Sequence, residues 1–252
     1  MHKILSGKNL VKTYGKEKEA SKVLNGVNVA ISAGEFVAVM GPSGCGKSTL
    51  LFVLSGTDTI DSGSVEFDGE ELSRLNENEL ADIRRTKIGF VFQQPTMLKN
   101  LNILDNIILS ALQGNRKNAA NTTAKARKLI EKTGIVGLEE RDITEVSGGQ
   151  LQRASICRAL MNEPEILFAD EPTGALNSKS SEEIMALFVE INKNGTAIFL
   201  VTHDAKVASR ADRVLFMKDG AIKTELTFGD VDGYDLEDRM NQIAVHMRDL
   251  GI

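Results

Sequence analysis

The run Gly41-Pro42-Ser43-Gly44-Cys45-Gly46-Lys47-Ser48-Thr49 fits the spacing G-x-x-x-x-G-K-[ST]. Glycines let successive backbone N–H groups turn inward and form a nest for an anion. A helix that starts at the end of such a loop adds the positive end of its dipole. Lys47 then reaches β- and γ-phosphates as a point charge, and the Ser48 hydroxyl ligates Mg²⁺. Cys45 contributes its backbone, which leaves the thiol incidental and, on this reading, open to alkylation when the loop is empty. Further along, Ile166-Leu167-Phe168-Ala169 is an apolar run ending in Asp170-Glu171. Asp170 is placed to hold Mg²⁺ through water, and Glu171 to act on an attacking water as general base or water-positioner.

These groups need a strand to deliver them and a helix to leave from. Glu35–Met40 is a continuous apolar run, as expected of a strand buried on both faces, and a helix over Lys47–Ser55 follows the glycine loop. The pattern gives further strands at Lys22–Ile31, Ser64–Asp68, Ile88–Phe92, Glu165–Ala169, Ala197–Thr202 and Val214–Met217. Helical periods run from about Gln93 to Asn162, including Thr122–Thr133 and Gly148–Met161, and return at Lys179–Asn192 and Ala205–Arg210. Strands alternating with helices indicate a mostly parallel sheet covered on both faces, with the central helical stretch inserted into it. In the tail over Tyr234–Ile252, residues Leu236, Met240, Ile243, Met247 and Leu250 form the stripe of an amphipathic helix, expected to pack on its own domain.

Composition narrows the classes. The chain has 252 residues, 30 Lys+Arg against 35 Asp+Glu and a net charge of −5, which argues against nucleic acid as the main partner. Two cysteines, Cys45 and Cys157, give neither a bridge framework nor a CxxC pair, so the cytosol is the expected compartment. The first residues lack the apolar core of a signal peptide, and no run approaches the 18 or so apolar residues of a membrane span.

Val146-Ser147-Gly148-Gly149-Gln150-Leu151-Gln152-Arg153 resembles the signature motif of ATP-binding cassette ATPases, and other landmarks fall in that family's order. The likeness runs from about residue 3 to residue 226. It implies a P-loop NTPase of α/β class, with a mostly parallel sheet core, an N-terminal antiparallel β part and an inserted α-helical subdomain. The ATPase domain would span 1–228, the helical subdomain about 93–162 within it, and a helical tail 229–252. Tyr14 sits where the family stacks an aromatic on adenine. Gln93 matches the glutamine that touches Mg²⁺ and the attacking water, and His203 matches the switch histidine at the γ-phosphate. The resemblance implies ATP and Mg²⁺ as cofactors. Ser147 and its two glycines precede a helix expected to start near Gln150, which offers a second helix N-terminus to an anion. In the family that end faces the phosphate loop of a second chain, so a head-to-tail homodimer holding ATP at its interface is implied. Gly174-Ala175-Leu176-Asn177 occupies the D-loop, with Asn177 where the family carries aspartate and Val146 where leucine is usual.

Several strings, among them Ile88–Gln93, Ala169–Leu176 and Val201–Asp204, look most like the macrolide-export, lipoprotein-release and antimicrobial-peptide-resistance branch. The continuation Ser178-Lys179-Ser180 resembles the bacitracin-type group. That implies a peripheral subunit on the cytoplasmic face of the membrane, docked through Gln94–Leu112 onto a separate integral membrane permease. A cell-division-type cassette that drives an envelope hydrolase shares nearly every motif and stays open as an alternative. Nucleic-acid cassettes of the repair or translation type usually carry coiled-coil insertions, zinc cysteines or two cassettes, none of which the sequence has.

Overall fold

The computed structural model describes residues 2–15, 20–112, 119–228 and 236–251. The strands are β1 Lys3–Tyr14, β2 Ser21–Ser32, β3 Phe36–Met40, β4 Ser62–Phe67, β5 Glu70–Glu71, β6 Ile88–Phe92, β7 Ile166–Asp170, β8 Ala197–Val201, β9 Arg213–Lys218 and β10 Ala221–Thr227. The helices are α1 Lys47–Leu54, α2 Glu77–Thr86, α3 Ile103–Leu112, α4 Ala119–Lys132, α5 Gly148–Leu160, α6 Ser178–Lys193, α7 Ala205–Ala208 and α8 Leu236–Asp249.

The strands form two sheets. β10-β9-β3-β8-β7-β6 is parallel except for β10, which pairs antiparallel at one edge; β2-β1-β4-β5 is antiparallel throughout. The central parallel strands are apolar at every position because both their faces are covered. In β3, Val37 and Val39 join the core between the sheets around α1, whereas Phe36, Ala38 and Met40 join the core beneath α6, α7 and α8. In β8, Phe199 and Val201 lie on the first side, Ile198 and Leu200 on the second. A third core of Met97, Ile103, Ile107, Ala126, Ile130, Ala154 and Cys157 lies among α3, α4 and α5.

Several expectations need correcting. β1, twelve residues long, escapes the sequence pattern, because its pairing with β2 and β4 shifts register around Lys8–Val11 and Asn9 is left-handed (φ 49°). Those bulges break the period-2 alternation that marks a strand. α2 is also missed: it buries no residue, and its start is marked by a capping box between Asn76 and Glu79 instead of by an apolar stripe. β10 is missed because it is an edge strand that buries no residue fully. The signature helix begins at Gly148, as its helical period implies, and α4 begins at Ala119 instead of Thr122.

The tail helix packs as its stripe implies. Ile243 is buried, and Met247 and Leu250 pack against the core beneath α6. Arg239 joins them with no exposed surface, donating to the carbonyls of Ser209 and Ala211 with its guanidinium 4.9 Å from the Phe228 ring. His246 stacks on Phe216 at 5.6 Å, and His2 lies 2.9 Å from the Asp68 carboxylate. Tyr234, the expected start of the tail, lies outside the described residues.

Candidate functional site

The phosphate loop leaves the carboxyl end of β3 and enters α1. Gly46 caps α1 with φ 102°, a left-handed conformation open to glycine, and a Cβ there would stand 2.6 Å from the Val23 carbonyl. A Cβ on Gly41 would stand 2.2 Å from the Met217 carbonyl, so the loop closes against β9 only with glycine. No side chain caps α1 and no acidic residue lies in its first turn, so its leading N–H groups are left for an external acceptor. Lys47 is buried, with Nζ donating 2.8 Å to the carbonyls of Gly41 and Pro42, which seats the ammonium inside the loop. Ser43 and Gly44 are exposed at the loop's outer bend.

Cys45 departs from the expectation. It is only 6% exposed, its Sγ lies 2.7 Å from the position a Gly41 Cβ would take, and burial raises its pKa. The thiol is therefore a filler between α1 and β9, and it is not open to reagents.

Four parallel strands bring the other groups to the same end of the sheet. Val39 of β3 pairs Val201 of β8, which pairs Asp170 of β7, which pairs Phe92 of β6. Ser48 Oγ donates 3.1 Å to Asp170 Oδ1, joining the loop to the strand end. Burial raises the Asp170 pKa above the ordinary carboxylate value, and the Glu171 charge adds to that; the Ser48 hydrogen bond and the Lys47 charge offset part of it. Glu171 follows in a left-handed conformation (φ 46°), unusual for a residue with a side chain. Its Oε1 lies 3.1 Å from His203 Nδ1. At Gly174 a Cβ would meet Gln93 Nε2 at 2.8 Å and Glu171 Oε2 at 3.3 Å, so those two side chains converge on one glycine. Beside them opens a cleft of about 210 Å³ lined by Glu171, Gly174, Leu176, Ser178 and His203 among others. A larger cavity of about 640 Å³, lined by Lys125, Lys128, Leu187 and Glu190 among others, contains none of these groups.

Ser48 and Asp170 supply a hydroxyl and a carboxylate, hard oxygen donors at the lip of a phosphate loop. Among the described residues no three His, Cys, Asp or Glu side chains converge as a metal cage. That donor set fits Mg²⁺, which keeps several waters and leans on substrate phosphates instead of an all-protein site.

Tyr14 lies at the end of β1, 42% exposed, its hydroxyl donating to Asp58 and also contacting the Thr49 side chain at the end of the loop motif. Lys12 Nζ donates 2.7 Å to Asp58 Oδ1 and sits 5.1 Å from the Tyr14 ring centre, so the ring's orientation is fixed from two sides. Asp58 was not visible beforehand, since it is 44 residues from Tyr14. Ser147 caps α5: its Oγ accepts from Gln150 N at 3.3 Å, and Gln150 Oε1 accepts from Ser147 N at 2.8 Å. Gln150 is thus engaged in the cap, while Ser147 and Gly148 face solvent and Gly149 is half-buried. They neighbour the D-loop, where a Gly149 Cβ would meet Ser180 Oγ at 3.0 Å and a Gly148 Cβ would meet Leu176 at 3.7 Å. Asn177 caps α6 by accepting from Ser180 N at 2.9 Å, a bond that aspartate would make equally.

Comparison with known proteins accords with this geometry. The ABC transporter family model matches residues 24–174. The chain is 43% identical over 230 residues to the bacitracin export ATP-binding protein BceA of Halalkalibacterium halodurans, covering 90% of each chain. It is 41% identical over 219 residues to the macrolide export ATP-binding/permease protein MacB of Mannheimia succiniciproducens, where the match spans 87% of this chain and 34% of that longer protein. Among solved structures, the dimeric post-hydrolysis state of the ATP-binding cassette MJ0796 bound to ADP and Pi is similar with a TM-score of 0.81 and 37% identity, over 89% of this chain and 98% of that one. With a phosphate loop, a carboxylate pair and a signature helix so arranged, and relatives matched over nine tenths of its length, the chain belongs to the ABC transporter family and is an ATPase, the nucleotide-binding subunit of such a transporter.

Proposed function

We propose that ATP bound on the Gly41–Thr49 loop closes two copies of this chain head to tail, and that hydrolysis under Glu171 reopens them and drives a separate membrane permease. The carrying observation is the convergence of Ser48, Asp170, Glu171, Gln93 and His203 at the carboxyl ends of adjacent strands. Lys47 and the amides that open α1 hold the phosphates. Ser48 and Asp170, with Gln93, hold Mg²⁺, which when bound neutralises charge on the β- and γ-phosphate oxygens. Glu171 accepts a proton from the attacking water or orients it, and His203 holds the γ-phosphate. Tyr14 stacks on adenine. Ser147, Gly148, Gly149 and the capped start of α5 cover the γ-phosphate of the opposite chain, so ATP joins the two copies and its loss separates them.

Among the described residues no helix is long and apolar enough to cross a membrane. On this reading a separate permease does the spanning, with this chain peripheral on its cytoplasmic side. Segment Gln94–Leu112 is the docking surface. Leu98 and Leu109 are exposed there, and buried Asn106 holds the approach rigid by donating to the carbonyls of Leu98, Leu101 and Asn102 and accepting from Leu98 N. The similarity to a bacitracin export ATP-binding protein along nearly the whole of both chains supports an antimicrobial peptide, antibiotic or lipid-like cargo.

Glu171→Gln tests the catalytic core of this reading. It keeps shape and hydrogen bonding but removes the basic group, so kcat should fall about 10²–10⁴-fold, roughly 3–5 kcal/mol of barrier. Binding should survive, and light scattering should find the variant as an ATP-bound dimer. Wild-type turnover in the purified variant would remove Glu171 from the mechanism. Cargo is tested separately: a host lacking the gene should become more sensitive to bacitracin and regain resistance with the wild-type chain but not with Lys47→Ala.

A further inference from the structure

Gln152 lies in the second turn of α5 and is 1% exposed. Its Nε2 donates 2.9 Å to the carbonyl of Phe92 and 2.8 Å to that of Pro172. Phe92 immediately precedes Gln93, and Pro172 immediately follows Glu171. One amide therefore grips the backbone beside both groups that face the attacking water. Its Oε1 is buried and accepts no hydrogen bond among the described residues, so the side chain serves these two carbonyls and nothing else. The same helix holds the far side of Gln93 as well, since Arg158 Nη1 donates 2.6 Å to the Thr96 carbonyl.

We propose that Gln152 is a positioning residue for hydrolysis, linking the seating of the Ser147 end of α5 to the placement of Gln93 and Glu171. This rests on the catalytic reading above. From Ser147 to Gln152 a helix rises about 7.5 Å at 1.5 Å per residue, a span too short to bend appreciably. A shift of the helix start on meeting the opposite chain's nucleotide is then carried by Gln152 to both carbonyls. Each chain's signature thereby acts on its own catalytic groups as well as covering its partner's ATP.

Gln152→Met tests this, because it keeps length and volume and removes both donors. In the full-length chain kcat should fall about 10–100-fold, the scale of an ångström-level misplacement, while KM and affinity for a fluorescent ATP analogue stay within about twofold. The double variant Gln152→Met/Glu171→Gln should still dimerise on adding ATP. Gln152→Glu, which turns an acceptor toward the same carbonyls, should be no more active than Gln152→Met. A wild-type kcat in Gln152→Met or Gln152→Glu would overturn the proposal. So would a loss of nucleotide affinity, of the ATP-driven dimer or of folding alongside the loss of rate, since Gln152 would then be general support. If Glu171→Gln alone retains turnover, the catalytic reading fails first; if Glu171→Gln is dead and Gln152→Met fully active, only the link through Gln152 fails.

Discussion

At the scale of single residues, the ring of Tyr14 and its hydroxyl can be told apart. Tyr14→Ala should weaken ATP binding by about 1–3 kcal/mol, the usual worth of one base–aromatic stack. Tyr14→Phe keeps the ring and loses the hydroxyl's contacts with Asp58 and Thr49, so calorimetry should find most of the affinity retained. A Phe variant as weak as Ala would assign the role to the hydroxyl. The two thiols give a second check. Cys45 is buried against Gly41, and burial pushes Cys157 up to about 12 in spite of its contact with Thr133. At pH 8 both stay protonated in the folded chain, so mass spectrometry should find them alkylated at least about tenfold more slowly than a free cysteine until guanidinium is added. Fast labelling of Cys45 in the native chain would mean that the loop opens. The phosphate loop and the Asp170-Glu171 pair were legible as contiguous runs, and the structure joins them through Ser48 and Asp170. The Asp58 brace on Tyr14 and the grip of Gln152 were not, because each joins distant segments through a side chain whose type suits many places.

Among the elements, α8 shows how periodicity can be right and incomplete. Its apolar stripe was readable, but Arg239 sits in the same buried face and looks in sequence like a surface residue. It closes the carbonyl end of α7, the short helix that follows His203, through Ser209 and Ala211. Arg239→Met should cost about 2–4 kcal/mol by stranding buried carbonyls, a drop of roughly 5–15 °C in Tm for a chain of this size. Deleting the residues after Phe228 should lower Tm at least as far and leave permease binding intact. A truncated chain that melts unchanged but loses its permease would make α8 an interface. Strands β3, β6, β7 and β8 were recognisable because burial on both faces demands unbroken apolar runs. β1 and α2 were hidden for different reasons, irregular register in one and, in the other, only two apolar residues, Leu80 and Ile83, packed against the core with none fully buried.

For the whole molecule, assembly should follow nucleotide. Without ATP the phosphate loop and the Ser147-Gly148-Gly149 turn have no covering anion between them, so light scattering should find a monomer. Adding ATP to Glu171→Gln should give a dimer with two nucleotides. A stable nucleotide-free dimer through the loop face would contradict the assembly. The sheet itself carries a last consequence. Val39, Val201, Asp170 and Phe92 stand in one row across four strands, and the positions just after them supply Glu171 and Gln93. The site is thus kept in a common reading frame by hydrogen-bonded register. One inserted residue inside β6, β7 or β8 would advance the group that follows it about 3.3 Å and turn it to the opposite face of the sheet. Scanning single-residue insertions should therefore abolish ATPase activity in those strands even when the inserted residue is alanine, whereas an insertion in the edge strand β10, which carries none of the site groups, should leave turnover in place.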